Sequence, residues 1–390
     1  MKIDKRNPHH WLLLLQQSLY TLVAICARYV TRKPTKRLVV LYGHQLSGNL
    51  KALYDEWQLT RTEDFDCYFL SLDAQYSQKL RAEGVNVLQC SKLRDMLRVG
   101  RCDAIITDHG LHAMGPLVRL TNILFIDVWH GIPFKGFTEE TFRVQHRYNE
   151  VWVSSPLLKT IYQDKFGFNP QIVRDLGYAR ADKLFLNKAP DSPIRDRVSI
   201  PPDNKIVLYA PTWQQEDKDR ELFPFDESQD SFIQLISDTC NKHSATLIIR
   251  SHLNAKIGKQ MYDNVVYCSQ KNFPDSEGLL READILICDW SSIAFDYLAL
   301  NRPTIFLDVE PPFKNGFSLG KEYRFGKVAS DMKALEVILD GVLEKPEAYS
   351  SEQGEVHNAI AGKVYGNNRD GLAASRQLDR LDSLMRPSEG

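Results

Sequence analysis

The sequence lacks the cysteine spacings that characterise zinc sites and disulfide frameworks. Its 390 residues contain seven cysteines but no CxxC pair. Zinc sites need closely spaced ligands, and disulfide frameworks belong mainly to short secreted chains. We therefore expect free, largely buried thiols in a reducing compartment. The cysteines are Cys26, Cys67, Cys90, Cys102, Cys240, Cys268 and Cys288.

Glycine-rich phosphate loops and metal-ligand clusters are also absent. Gly43 to Gly48 follows the first convincing strand, but its sequence is neither GxGxxG nor a Walker A loop. His109 and His112 have the spacing of a metal pair, yet no third ligand stands nearby at ligand spacing. The sequence therefore predicts no dinucleotide site, no ATP site, no metal and no cofactor.

The chain carries little net charge, a formal −1, but the charge is unevenly distributed. Residues 1–37 hold eight Lys or Arg against Asp4 alone, so the remainder is mildly acidic. This pattern argues against a broad nucleic-acid surface and indicates a local anionic partner near the start of the chain.

The apolar segment 11–27 is too short and too interrupted by glutamine to make a comfortable bilayer span. Apolar residues recur in it at helical spacing, and basic residues flank it on both sides. An amphipathic helix lying on an anionic membrane fits this pattern best, with a spanning anchor or an ordinary packing helix as alternatives. A signal peptide would need a small-residue cleavage site, which is missing. The recurring residues are Leu12, Leu15, Leu19, Leu22 and Cys26.

Short apolar runs alternate with helical segments from Arg37 onward, which predicts parallel, doubly wound α/β sheets. A second series of the same kind starts at Lys205. The segment 187–204 between them is rich in Pro, Asp and charged residues, and we expect neither helix nor strand there. The expected parts are a membrane-associating segment 1–36, an α/β domain 37–190, a second α/β domain 200–345, and a helical segment 346–390 that packs back towards the first domain.

His130 directly follows the apolar run Ile123 to Trp129, which places it at the carboxyl edge of a sheet, where α/β proteins bind ligands. Histidine suits proton removal because its ordinary pKa is about 6.5. Gly131 and Pro133 would hold the loop in a defined conformation. The alternative is a histidine that only hydrogen-bonds its own loop.

Three strand ends of the second series carry polar side chains suited to a diphosphate. Asp289, Ser291 and Ser292 are N-cap residue types at the start of a predicted helix, whose N-terminus favours phosphate. The plainer interpretation is that these serines only cap the helix. The polar residues at the other two strand ends are Thr212, Arg250 and His252.

The order and spacing of six motifs resemble those of the CDP-glycerol glycerophosphotransferases, over most of residues 37–380. These motifs are WHGIPFK at Trp129 to Lys135, GYARADKL at Gly177 to Leu184, APTWQ at Ala210 to Gln214, RSHL at Arg250 to Leu253, DWSSIAFD at Asp289 to Asp296, and RDG at Arg369 to Gly371.

The resemblance implies a GT-B-like fold, with two facing Rossmann-like domains and a cleft between them. It implies transfer of glycerol phosphate from CDP-glycerol, or a related CDP-polyol, to a hydroxyl of a lipid-linked glycan or growing polymer in teichoic-acid-like or capsular polysaccharide synthesis, releasing CMP. It also implies peripheral attachment at the cytoplasmic face of the membrane. His130 would be the catalytic base. The expected substrate-binding residues are Gly131, Lys135, Arg180, Thr212, Arg250, His252, Asp289, Ser291, Ser292 and Asp296.

The sequence departs from the family pattern at three positions, so its polyol or acceptor preference can differ. Ile132 replaces Thr, Gln214 replaces Arg, and Leu253 replaces Pro. Two other functions are compatible with the same motifs. One is a GT-B glycosyltransferase that uses a nucleotide sugar, and the other is an inactive membrane scaffold of a polymer-assembly complex.

Overall fold

The chain forms two compact units. The computed structural model describes residues 8–30, 35–190, 193–212, 223–251, 262–269 and 272–386. Unit 1 comprises Met1–His130, Thr138–Asp182 and Gly371–Gly390, and unit 2 comprises Gly131–Phe137 and Lys183–Asp370. Each unit contains its own parallel sheet.

Unit 1 alternates strands with helices and closes with a helix from the end of the chain. In chain order its elements are α1 Pro8–Val30, β1 Arg37–Tyr42, α2 Gly48–Thr60, β2 Phe65–Ser71, α3 Ala74–Ala82, β3 Val87–Gln89, α4 Leu93–Gly100, β4 Ala104–Thr107, α5 Pro116–Leu120, β5 Leu124–Asp127, β6 Glu150–Val153, α6 Pro156–Asp164, β7 Val173–Asp175 and, from the last segment, α14 Ala373–Met385.

The described strands of unit 1 form one seven-stranded sheet in the order β3-β2-β1-β4-β5-β6-β7. Every pairing in it is parallel. The central strands are buried along almost their whole length, as the apolar runs in the sequence predict. The strand order reverses between β1 and β4, and ligands of open α/β sheets bind at the carboxyl edge beside such a reversal.

Two buried carboxylates attach α14 to unit 1. Glu150 accepts hydrogen bonds from Arg380 Nε at 3.1 Å, Arg174 Nε at 3.1 Å and Trp152 Nε1 at 2.9 Å. Asp182 accepts from the first two main-chain nitrogens of α14, Ala373 at 3.0 Å and Ala374 at 2.8 Å. Asp182 therefore caps the helix and satisfies N–H groups that would otherwise lack partners.

Helix α1 packs one face against unit 1. Thr21, Ala24 and Arg28 are buried on this face. The Arg28 guanidinium donates to Cys102 O at 2.7 Å and to Asn122 Oδ1 at 2.5 Å. None of the helices in the described part of the chain combines the length and apolarity needed to cross a bilayer.

Unit 2 repeats the α/β alternation. Its elements are α7 Asp182–Phe185 at the unit boundary, α8 Ile194–Val198, β8 Lys205–Tyr209, α9 Gln229–Lys242, β9 Ala245–Ser251, β10 Val265–Ser269, α10 Ser276–Glu282, β11 Ile285–Cys288, α11 Ile293–Leu298, β12 Thr304–Leu307, β13 Lys327–Ala329, α12 Met332–Glu344 and α13 Pro346–Tyr365.

The described strands of unit 2 form a six-stranded parallel sheet in the order β10-β9-β8-β11-β12-β13. Numbered from β8, this order is 3-2-1-4-5-6, which is that of doubly wound nucleotide-binding sheets. The prediction of α/β architecture with parallel sheets is thus confirmed. The expectation of no helix in 187–204 was wrong, because α8 lies there and its Ile194 is buried.

All seven cysteines lie in the described part of the chain, and each is a free thiol. Six of them are buried, as expected. Cys26 differs, because it lies on the exposed side of α1.

Candidate active site

His130 lies three residues beyond β5, at the carboxyl edge of the unit 1 sheet. Trp129 just before it adopts a positive φ of 45°, and Gly131 just after it has a φ of 147°. A bulky residue rarely adopts a positive φ, and such strain concentrates at functional sites. Trp129 is held in this conformation by packing, since its ring is 7% exposed and contacts Phe142 at a centroid distance of 4.9 Å.

The hydrogen bond of His130 assigns its tautomer. Nδ1 lies 3.1 Å from the main-chain oxygen of Asp108. A carbonyl oxygen can only accept, so Nδ1 carries the proton and the neutral ring keeps a lone pair on Nε2. Nε2 is therefore the nitrogen able to take a proton from a substrate.

The environment of His130 disfavours the charged imidazole. Desolvation lowers the pKa of His130 below its ordinary value, and repulsion from His109 lowers it further. His130 as a whole residue is nevertheless exposed. Solvent access limits the size of this shift but preserves its direction. His130 is thus neutral at pH 7, with its Nε2 lone pair available, as a general base must be.

Asn49 and Arg180 hold the main chain on either side of His130. Asn49, which is 1% exposed, donates from Nδ2 to the oxygens of Val128 at 2.8 Å and Trp129 at 2.9 Å. Its Oδ1 accepts from Arg180 N at 3.0 Å, and Arg180 Nη1 donates to His130 O at 2.6 Å. The WHG and GYAR motifs are therefore joined at this edge of unit 1.

The residues after His130 pack within unit 2. Phe134 is buried there and contacts the ring of Phe295 at a centroid distance of 4.4 Å. Gly136 N donates to Gly316 O at 2.8 Å, and a side chain at Gly136 would collide with the main-chain oxygen of Asn315. Lys135 is half-buried, with its Nζ 5.6 Å from the ring centroid of Phe137.

In unit 2 the structure brings Thr212 and Asp289 into contact. They follow the neighbouring strands β8 and β11, beside the point where the strand order reverses. Asp289 Oδ1 accepts from Thr212 N at 2.7 Å, from the Thr212 hydroxyl and from Trp290 N at 2.6 Å. Burial raises the pKa of Asp289, although these hydrogen bonds oppose the shift. Both residues brace the strand ends.

Ser291 and Ser292 precede the short helix α11, but neither forms the predicted cap. Ser292 occupies the N-cap position without a side-chain hydrogen bond to the helix. Asp289 does not cap the helix either, because its Oδ1 accepts hydrogen bonds from the main-chain nitrogens of Thr212 and Trp290. Ser291 is half-buried and Ser292 is exposed, whereas Asp296 on α11 is 4% exposed.

Arg250 at the end of β9 turns towards the loop before α10. Its guanidinium donates to Phe273 O and, at 2.9 Å, to Ser276 Oγ. The structure thus shows Arg250 supporting this loop, and donor binding by Arg250 stays a prediction. His252, Gln214 and Leu253 lie outside the described residues.

Sequence reasoning missed a group of side chains beside His130. His109 lies parallel to His130, with ring centroids 4.5 Å apart and an interplanar angle of 9°. His44 contacts His109 at 4.5 Å and His112 at 5.4 Å. The sequence spacing showed only His109 and His112, because His44 comes from another strand end. Within the described residues, no group of three potential ligands has the geometry to hold a metal ion.

A comparison of the sequence with models of known protein families shows to which family the chain belongs. The model for CDP-glycerol:poly(glycerophosphate) glycerophosphotransferase matches residues 25–380, which is most of the chain. The chain belongs to this family. The WHG motif and the DWSS motif described above both lie within the matched residues.

Two relatives in this family act in teichoic acid synthesis, according to their names. A teichoic acid poly(glycerol phosphate) polymerase of Bacillus subtilis (strain 168) is 27% identical over 312 residues, covering 72% of this chain and 40% of that protein. A teichoic acid glycerol-phosphate transferase of Staphylococcus aureus (strain NCTC 8325 / PS 47) is 25% identical over 326 residues, covering 75% of this chain and 78% of that protein. The chain therefore spans less than half of the first relative.

A solved structure of the wall teichoic acid polymerase TagF is similar to the whole chain. The TM-score is 0.74 at 19% identity, and the match covers 96% of this chain and 94% of that structure. At this identity the similarity shows the fold alone.

Proposed function

We propose that the protein transfers a polyol phosphate, in the first instance glycerol phosphate, from a CDP-polyol to a hydroxyl group of a teichoic-acid-like or capsular acceptor. The acceptor oxygen attacks the phosphorus that carries the polyol, and the bond from that phosphorus to the bridging oxygen breaks. CMP leaves with the bridging oxygen, and the hydroxyl proton passes to His130 Nε2. Family membership and the assigned tautomer of His130 support this reaction.

The main support for the proposal is the protonation state and tautomer of His130. Its Nδ1–H is engaged by Asp108 O, its pKa is lowered, and the residue as a whole is exposed at the sheet edge. A neutral imidazole with Nε2 available is the form that a general base requires. Removal of such a base typically lowers the reaction rate by roughly 10²- to 10⁴-fold.

The unit 2 residues serve the donor in this proposal. Ser291 and Ser292 would donate hydroxyl hydrogen bonds to the diphosphate, with Arg250, His252 and Lys135 supplying further donors. Such donors stabilise the charge that develops on the leaving CMP. Thr212, Asp289 and Asp296 would shape this pocket, and Gly131 would let the main chain turn after the base.

The reaction is tested with the purified full chain, CDP-glycerol and a lipid-linked acceptor, by following CMP release. The His130→Gln variant should lose at least about 10²-fold in kcat. His243→Gln is the matched control, because His243 pairs with Asp340 on unit 2 and has no part in the proposed site. Equal rates for wild type and His130→Gln would exclude His130 as the base. CDP-ribitol, followed by CMP release, and UDP-glucose, followed by UDP release, would identify the donor and test the nucleotide-sugar alternative.

We also propose that α1 attaches the enzyme to the cytoplasmic face of an anionic membrane. The apolar residues that recur along α1 lie opposite its buried face, and each is more than half exposed: Trp11 55%, Leu12 62%, Leu15 68%, Leu19 58% and Leu22 55%. Exposed apolar rows flanked by basic residues are typical of interfacial helices.

Vesicle flotation of the full chain tests this attachment. We expect binding to phosphatidylglycerol vesicles and much weaker binding to phosphatidylcholine vesicles. The double variant Leu15→Glu, Leu19→Glu should lose it, whereas Val337→Glu should retain it, since Val337 is equally exposed at 65% on α12. Retained binding by the double variant would contradict the proposal.

A further inference from the structure

Asp108 contacts two imidazoles that follow different strands. Its side chain is 6% exposed, and its Oδ1 lies 2.6 Å from His109 Nδ1. Its main-chain oxygen accepts from His130 Nδ1 at 3.1 Å. One residue at the end of β4 therefore orients both His109 and His130.

The carboxylate of Asp108 favours the protonated form of His109. Burial alone lowers the pKa of His109, but the charge of Asp108 and its hydrogen bond outweigh burial, and the pKa is raised overall. Asp127, buried at the end of β5, attracts the same proton. His109 thus keeps its proton to higher pH than an isolated histidine.

The His109 ring, whose protonated form Asp108 favours, lies flat against the ring of His130. The two centroids are 4.5 Å apart and the rings are nearly parallel, at 9°. If His130 took up a second proton, two cations would face each other at this distance, which is unfavourable in a partly desolvated site. The stacking therefore favours the neutral form of His130.

Gly43 has no side chain, and this leaves room for the carboxylate of Asp108. A Cβ at Gly43 would lie 2.4 Å from Asp108 Oδ1 and 2.8 Å from Leu50 Cδ1, both too close. Any larger residue at the end of β1 would displace the carboxylate. The main chain is thus built to admit this carboxylate beside His109.

We propose that Asp108 and His109 form a positioning pair that keeps His130 neutral and protonated on Nδ1, ready to accept a proton at Nε2. The catalytic consequence rests on the function proposed above, but the state of the His130 ring does not. The pair touches His130 rather than the reacting atoms, so it acts through the base.

Other titratable or charged groups face the same cluster, and burial lowers the pKa of His44 to about 4 and also lowers the pKa of His112. His44, after β1, contacts His109 edge-on at 4.5 Å, and His112 lies 5.4 Å from His44. Arg180 reaches the main-chain oxygen of His130 at 2.6 Å and lowers the pKa of His130 as well. These groups are unchanged in a His109 variant. A change in the pKa of His130 in that variant would therefore result from loss of the Asp108–His109 pair.

The first experiment measures the rings directly, by NMR titration of the full chain labelled with ¹⁵N-histidine. The His130 signals are assigned with His130→Gln. In wild type we expect the Nδ1–H tautomer and a neutral ring at pH 6. In His109→Gln, which keeps a hydrogen-bonding side chain without charge, the pKa of His130 should rise by about one unit. An unchanged His130 pKa would overturn the proposal.

Asp108→Asn gives a second, independent measurement. The main-chain oxygen remains, so His130 should keep its tautomer, while His109 should lose its proton at a lower pH than in wild type. Gly43→Ala should displace the carboxylate and lower the His109 pKa in the same direction, which provides the test if the buried Asp108→Asn variant does not fold. Unchanged titration of His109 in these variants would contradict the pair.

The kinetic arm separates positioning from a merely structural role. In His109→Gln the acid limb of kcat/KM for CMP release from CDP-glycerol should move to higher pH, by the same amount as the His130 pKa measured by NMR. On the acid side kcat/KM should fall about tenfold. The KM for the donor should not change. A uniform loss at every pH would overturn the positioning role. If wild type releases no CMP from any CDP-polyol, the proposed function fails while the NMR result still decides the pair.

Discussion

The guanidinium of Arg180 donates a 2.6 Å hydrogen bond from Nη1 to the main-chain oxygen of His130. Gly48, with a φ of 54°, lies beneath this guanidinium, and a Cβ there would lie 3.4 Å from Nη1. Arg180 was expected among the substrate-binding residues. The structure shows that it positions the loop that carries the proposed base.

Arg180→Lys should therefore lower kcat more than it raises KM for CDP-glycerol. A lysine cannot reproduce the geometry of the guanidinium, and small displacements of a catalytic group cost roughly ten- to a hundredfold in rate. Initial rates of CMP release across donor concentrations measure both constants. Arg94→Lys, at an exposed position on α4, is the control. A large rise in KM at constant kcat would indicate instead that Arg180 binds the donor directly.

Asn49→Ala should destabilise unit 1. Asn49 satisfies the oxygens of Val128 and Trp129 and the nitrogen of Arg180, all in a buried position. Loss of its side chain leaves buried polar groups unpaired, which costs about 1–3 kcal/mol. Urea unfolding of the purified chain measures the change. The same experiment on Asn241→Ala, an exposed residue at the end of α9, should show almost no effect, and equal stability of both variants would contradict this role of Asn49.

Much of the sheet could be predicted because its strands are short apolar runs. Arg37–Tyr42, Ala104–Thr107 and Thr304–Leu307 are such runs, and each is buried along almost its whole length. The edge strands β7, β10 and β13 were missed. In β7 and β13 three residues of mixed polarity produce neither a run nor an alternation, and β10 is only partly buried. Periodicity detects strands that are buried on both faces.

The candidate site was only partly predictable for a different reason. The position of His130 followed from the strand before it. His44 and Asp108 follow other strands, Asn49 lies at the start of α2, and only the fold of the sheet brings them to the same edge. In α1 the apolar row was visible in the sequence, but the burial of Thr21, Ala24 and Arg28 depends on contacts with distant residues that no local pattern encodes.

The interaction of Glu150 with α14 predicts a loss of stability in Glu150→Gln. Desolvation opposes the charge of Glu150, but hydrogen bonds from Arg380, Trp152 and Arg174 outweigh it and lower the pKa. This contribution is present above the ordinary carboxyl pKa and is lost as pH falls through the lowered value. We expect a loss of about 2 kcal/mol at pH 7. Thermal unfolding compares it with Glu355→Gln, an exposed control on α13, and equal melting temperatures would contradict the prediction.

His357 should make unit 2 less stable as pH falls. Burial lowers the pKa of His357 to about 4, so between pH 6.5 and 4 the unfolded chain binds a proton that the folded chain does not. The shift corresponds to roughly 3 kcal/mol, lost progressively over that window. His357→Leu should flatten the dependence of unfolding free energy on pH. Tyr349→Phe, which removes the hydroxyl 2.9 Å from His357 Nε2 but keeps the histidine, should retain it, and parallel curves for wild type and His357→Leu would refute the assignment.

Gly100→Ala tests how α1 is attached to unit 1. Gly100 ends α4, and a Cβ there would lie 2.1 Å from the main-chain oxygen of Ala24 in α1. Main-chain atoms cannot move aside as a flexible side chain can, so α1 has to shift, at a cost of about 1–3 kcal/mol. Gly341→Ala is the matched control, since Gly341 also lies in a helix, α12, and a Cβ there meets nothing within 4 Å. That variant should gain about 0.4–1 kcal/mol, because alanine restricts the unfolded chain. Hydrogen exchange should show faster exchange in α1 for Gly100→Ala alone. Equal protection of α1 in both variants would mean that the close approach of Gly100 and Ala24 does not hold the helix.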